Sequence, residues 1–184
     1  MIKNVIILAA VIVTSSTLFA QQYVTKNGHI KFFSEMPSEN IEANNKQVNT
    51  ALNTVSGEFI FKVLMKSFEF EKRLMQEHFN ENYVESDKFP NATFKGKVAN
   101  LGEIDFSKNG TYPALIEGDL TLHGVTKKVS EKGEFIISNG KIQAKSNFKI
   151  RVADYDIVIP KMVRKNIAEL LDITVDVSLL PYKK

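Results

Sequence analysis

The chain has 184 residues, 24 basic against 21 acidic side chains for a formal charge of +3, and no cysteine. The charges are spread along its whole length, which leaves no electrostatic footprint for nucleic acid. Without thiols, disulfide bonds, thiolate metal sites and thiol redox chemistry are excluded. The basic groups at 127–128, 161–165 and 183–184 are too short and separated to form a stripe; they read as solvated surface, with anionic lipid head groups as the alternative partner.

Residues 1–20 carry one charge, Lys3, then an apolar run over 5–13, a polar run over 14–17 and a small residue at Ala20. That order is expected of a cleaved export signal, and the apolar run falls short of the ~20 residues that span a bilayer. Residues 21–184 are then expected to form a single periplasmic or secreted domain. A chain of that length buries roughly 70% of its unfolded surface around one core.

Apolar residues alternating with polar ones predict strands over 22–26, 29–34, 47–54, 57–66, 92–106, 112–122, 126–138, 141–151 and 171–180. The pattern is clearest for Phe59, Phe61, Val63 and Met65, for Ile142, Ala144, Phe148 and Ile150, and for Ile173, Val175, Val177 and Leu179. A period of two gives each strand one dry and one wet face. Asn27-Gly28, Asn109-Gly110, His123-Gly124 and Asn139-Gly140 lie between these runs as hairpin signals.

Two segments break the alternation. Over 69–79, Phe70, Leu74, Met75, His78 and Phe79 share one helical face, and Pro90 stops the loop that follows. Over 161–171, a second helix is predicted after Pro160, with Met162, Ile167, Leu170 and Leu171 as its apolar side. Both helices are placed to close an end of the sheet. A one-sided antiparallel sheet of about eight strands must stack on a second sheet or close on itself. Composition does not choose between these.

The stretch 67–96, with its Phe89-Pro-Asn-Ala-Thr-Phe94 strand entry, is followed by Gly118-Asp-Leu-Thr-Leu-His-Gly-Val-Thr-Lys127. In order and spacing these segments resemble the YceI-like family of bacterial envelope proteins. The resemblance implies an all-β fold, a closed antiparallel lipocalin-like β-barrel with one or two short helices at an end. It also implies a non-enzymatic protein that holds an isoprenoid lipid, a polyisoprenoid or isoprenoid quinone, in an internal tunnel. Transient membrane contact and homodimerisation are implied with it, and no cofactor beyond the lipid. From Arg151 through Asp154-Tyr-Asp-Ile-Val-Ile-Pro160 the chain departs from the commoner family pattern, in the region that would shape one mouth of the tunnel.

The residues have their own chemistry to offer. Phenylalanine occurs 13 times, against five tyrosines and no tryptophan, and such rings line a hydrocarbon cavity without stranding a polar group. Phe59, Phe61, Val63, Met65, Phe94, Leu120, Leu122 and Phe148 are the candidate tunnel lining, with Phe68, Leu74, Met75 and Phe79 as its lid. The alternative is that the same side chains fill the barrel, since small barrels occur both filled and hollow. The protein would then be an envelope interaction or stress-related module with no lipid cargo.

His29, His78 and His123 are the only histidines, and none stands at a metal-ligand spacing; His78 and His123 are expected to make structural hydrogen bonds, and no metal is expected. Lys72 and Arg73 are candidates to meet a head group at the mouth. No nucleophile, phosphate-loop or zinc-hydrolase motif occurs, and the sequons at Asn91 and Asn109 carry no weight in a bacterial chain. An enzyme acting on lipid or wall material therefore has no supporting constellation.

Overall fold

The computed structural model describes residues 22–35, 40–160 and 168–182. The expected export segment and most of the helix expected over 161–171 lie outside the described residues. Among the described residues nine strands form: β1 (Gln22–Ser34), β2 (Ile41–Asn53), β3 (Glu58–Leu64), β4 (Glu69–Phe70), β5 (Asn91–Val98), β6 (Gly110–Leu122), β7 (Val125–Ser138), β8 (Lys141–Arg151) and β9 (Leu170–Pro181). Antiparallel pairing runs β1-β9-β8-β7-β6-β5-β3-β2, and β2 pairs back onto β1. The sheet therefore closes into an eight-stranded barrel, which leaves no wholly unpaired edge strand among the eight. The short β4 pairs beside the start of β2, Ala43 opposite Phe70.

Several boundaries differ from the pattern in the sequence. Asn27-Gly28 is not a hairpin turn; it lies inside a single β1, where the pairing with β2 shifts register on both sides of Gly28. A Cβ there would lie 2.6 Å from Val177 Cγ1 and 3.1 Å from the Val48 carbonyl oxygen. The glycine serves close backbone approach at a bulge instead of a turn. Strand β2 starts at Ile41, because Ala43 and Asn45 continue the inward row before the expected start. Strand β5 stops at Val98, where the chain turns through Leu101–Glu103. Asn109-Gly110 is not a two-residue turn either: Asn109 Oδ1 accepts from the Asn139 amide at 3.1 Å. The true two-residue turns are His123-Gly124 and Asn139-Gly140, whose φ values of 51° and 78°, and 50° and 73°, match the twist of a tight hairpin. Leu170 and Leu171 begin β9 and are not helical.

The barrel interior divides across its length. At the end formed by the start of β1, β3, β6 and β8, Leu52, Phe135, Ile142, Val177 and Leu179 are at most 1% exposed. They pack with Phe59, Val98, Ile104 and Ile137 into a solid core. At the opposite end a second apolar cluster, including Phe32, Val63, Met65, Phe68, Ile157 and Ile173, surrounds space instead of filling it.

Candidate functional site

The cavity at the open end has a volume of about 350 Å³, within the ~300–1,000 Å³ range of small-molecule sites. A second chamber of about 120 Å³ lies deeper, against Phe59, Ala114, Phe135 and Ala144. Ile30, Val63, Ala92, Leu120, Phe148 and Val175 line both, so they form a shared waist at which the two chambers adjoin. These residues come from six strands, each contributing its inward row.

Wall thickness is set by a glycine pair. Gly96 and Gly118 face each other across β5 and β6, and a Cβ on Gly96 would lie 2.4 Å from Phe94 Cζ. The Phe94 ring thus lies along the wall over bare backbone, an aromatic covering for strand glycines. Phe61 meets it edge-on at 6.2 Å, and Phe59 meets Phe61 at 4.7 Å.

A helix closes the mouth. Helix α1 (Arg73–His78) runs into a wider π turn over Phe79–Tyr83, which brings Met75, Phe79 and Tyr83 over the cavity. Phe79 stacks at 5.5 Å on Phe32, 5.6 Å on Phe68 and 5.1 Å on Phe70. Each tilted or edge contact contributes about 0.5–1.5 kcal/mol beyond burial. The lid is therefore docked on β1 and β4 by aromatic contacts, with one backbone tie from Phe70 N–H to Gln76 Oε1 at 3.3 Å.

One part of the wall is not sheet. β7 pairs with β8 only from Gly133–Ser138 against Lys141–Ser146, whereas β7 pairs with β6 as far as Val125 and β8 with β9 as far as Arg151. The free ends of β7 and β8 therefore diverge and leave a lateral slit. The chain leaving β8 turns through Val152–Tyr155 and crosses this opening as a strap. Its alternation places Val152, Tyr155, Ile157 and Ile159 inside and Val158 outside, the last 73% exposed. Val152, Ile157 and Ile159 line the larger cavity, and Tyr155 O lies 3.1 Å from His123 Nδ1. The other ring nitrogen of His123 lies 2.8 Å from the Glu85 carboxylate. Both partners are acceptors, so a doubly protonated ring serves both and a neutral ring only one.

Of the residues singled out in the sequence, Phe59, Phe61, Val63, Met65, Phe68, Met75, Phe79, Phe94, Leu120, Leu122 and Phe148 line the cavity. Leu74 does not. It stands 60% exposed, rotated ~100° around the helix from Met75. Arg73 is turned to solvent and pairs with Glu77 at 2.9 Å. His29 bonds Asn44 Oδ1 at 2.8 Å, and His78 reaches the cavity rim. Among the described residues no three acidic or histidine side chains converge on a metal position. The sequence reading missed Ile157 and Ile159, whose own period-two spacing before Pro160 was a usable signal, and it missed Glu131.

An eight-stranded antiparallel barrel with a closed apolar interior cavity and a helix over its mouth is a lipocalin-like hollow barrel. The family model described as YceI-like domain matches residues 19–179. The chain belongs to the YceI-like family. Its fold is similar to a polyisoprenoid binding domain from Saccharophagus degradans implicated in plant cell wall breakdown, with TM-score 0.76, 13% identity, and 89% of this chain and 99% of that chain covered. It is also similar to Burkholderia cenocepacia BcnA, with TM-score 0.65, 12% identity and coverage of 83% and 95%. A Campylobacter jejuni YceI protein gives TM-score 0.58 at 18% identity, with coverage of 82% and 90%. At these identities the likeness is one of fold. No curated protein sequence matches the chain significantly.

Proposed function

We propose that this protein is an exported, non-enzymatic carrier that encloses the apolar chain of an isoprenoid lipid, for storage or transport in the periplasm or outside the cell. The observation that carries this reading is the pair of adjoining chambers inside the barrel, walled by phenylalanine and aliphatic side chains. Burial there stabilises a hydrocarbon by about 0.8 kcal/mol per methylene, so a long chain binds tightly without specific polar contacts. The description of the Saccharophagus degradans domain as polyisoprenoid binding supports an isoprenoid over other lipids. No cofactor beyond the lipid is needed. The exposed Leu74 and Val158 flank the mouth on the lid and on the strap, where they suit brief contact with a membrane during exchange. The apolar run over 5–13 supports export.

The test is mass spectrometry of an organic extract of the protein, purified without detergent from the soluble envelope fraction of its host. A stoichiometric isoprenoid is the expected result. An empty extract, still empty after incubation with host membrane lipids, would sink the carrier reading in favour of an interaction module.

A further inference from the structure

Glu131 is out of place in an apolar barrel. It stands on the inward row of β7, between Val129 and Gly133, and lines the deeper chamber. Its register partner on β6 is Ile116. Two other charged residues border that chamber, Glu134 and Lys145, but they lie on the outward rows, opposite each other in the β7–β8 register. Glu131 is thus the one inward-row carboxylate at the cavity among the described residues, and there it has no hydrogen-bond or ion-pair partner. Burial alone pushes its carboxyl above the ordinary value of 4.5. The Tyr155 hydroxyl on the strap is pushed up by burial, then by the charges of Asp154 and Glu131, which places the phenol and the carboxylate in one neighbourhood.

A half-buried carboxylate without a protein partner costs stability to the extent that water is kept from it, and no described side chain beside it offsets that cost. A ligand group that donates a hydrogen bond would do so. The position suits this: Glu131 sits where the lateral slit meets the deeper chamber, and the waist connects that point to the larger apolar cavity. A chain lying with its head at Glu131 has its tail in the space closed by the lid.

We propose that Glu131 is the polar anchor of the cavity, accepting a hydrogen bond from the hydroxyl head of an isoprenoid, so that the protein selects a prenyl alcohol over the corresponding phosphate ester. The inference rests on the lipid-carrier reading and narrows it. An anionic phosphate would bring like charge against the carboxylate. A hydroxyl gains a charge-assisted hydrogen bond, which corresponds to about 10–100-fold in affinity.

The experiment is calorimetric titration of the delipidated protein with geranylgeraniol, geranylgeranyl phosphate and the parent hydrocarbon, using wild type, Glu131→Gln and Glu131→Leu. Wild type should bind the alcohol about 10–100-fold more tightly than either competitor. Glu131→Leu should bring alcohol and hydrocarbon to similar affinity. Glu131→Gln, which keeps the shape and removes the charge, should relax the discrimination against phosphate, and this arm stands alone where the leucine variant does not fold. If all three ligands bind wild type with ratios that the variants leave unchanged, the anchor is refuted and the carrier survives. If none binds wild type, the carrier reading falls and the anchor falls with it.

Discussion

His123 Nε2 lies 2.8 Å from the Glu85 carboxylate, and both residues hold left-handed backbone, with φ of 51° and 44°. The contact joins the β6–β7 hairpin to the loop after the lid, while the same ring reaches Tyr155 on the strap. Three segments that border the cavity therefore share one imidazole. His123→Asn keeps a residue suited to the turn and removes the clasp. It should lower unfolding free energy by about 1–3 kcal/mol in urea titration and speed loss of a bound lipid. Equal stability and equal release would show that the clasp is idle.

Phe148 lines both chambers at the waist and takes no part in the solid core. Phe148→Arg should abolish retention of a hydrophobic ligand while the far-ultraviolet circular dichroism stays that of the wild type. A variant that still carries lipid would remove the waist from the binding site.

Leu52→Ala should behave in the opposite way. Leu52 is fully buried at the filled end, and such truncations cost about 2–5 kcal/mol. The thermal midpoint should drop, yet the folded fraction should bind ligand as before. Impaired binding at temperatures where the variant is fully folded would mean that the two ends are not independent.

Exchange and affinity should separate at the rim. Leu74→Asp and Val158→Asp alter side chains that are 60% and 73% exposed and outside the cavity lining. Together they should slow transfer of a prenyl lipid from vesicles and leave equilibrium affinity unchanged. Unaltered transfer rates would argue against membrane contact at this rim.

The stability of Glu131→Gln should depend on pH. Burial raises the folded-state carboxyl above its ordinary 4.5, so the proton is held more firmly folded than unfolded. The associated stability is fully present below the unfolded value and is lost as pH rises through the folded one. Asp154 on the strap and Glu134 and Lys145 at the slit are common to both proteins, and the Tyr155 phenol, which Glu131 helps to push up, stays protonated near neutrality in either. The variant should therefore match wild type in acid and exceed it near neutrality. A constant difference across that range would mean the carboxylate is fully solvated.

The strands were legible in the sequence wherever one face is dry and the other wet, because period-two alternation follows directly from the pleat. The rows of Phe59 and Val63, and of Ile142 and Ala144, are such cases, and both face inward as their spacing required. Gly28 misled for a physical reason. A glycine that opens a turn and one that lets two backbones touch look alike in sequence, and only the neighbours Val48 and Val177 tell them apart. The slit was illegible because the partial pairing of β7 with β8 depends on how far two strands diverge, which neither strand's composition records. Glu131 was hidden with it: beside Lys132 and Glu134 it reads as one more solvated charge. Leu74 failed because it stands at one edge of the helical stripe over 69–79, and only the packing of Met75 and Phe79 over the cavity shows that the stripe's other edge faces inward.

The division of the barrel into a filled end and a hollow end has a consequence for descent. Side chains that hold the fold and side chains that would choose a cargo occupy different stretches of the same strands, so one set can drift while the other is kept. A lineage built on this plan can change what it carries by rewriting lid, waist and strap, without first passing through forms that do not fold.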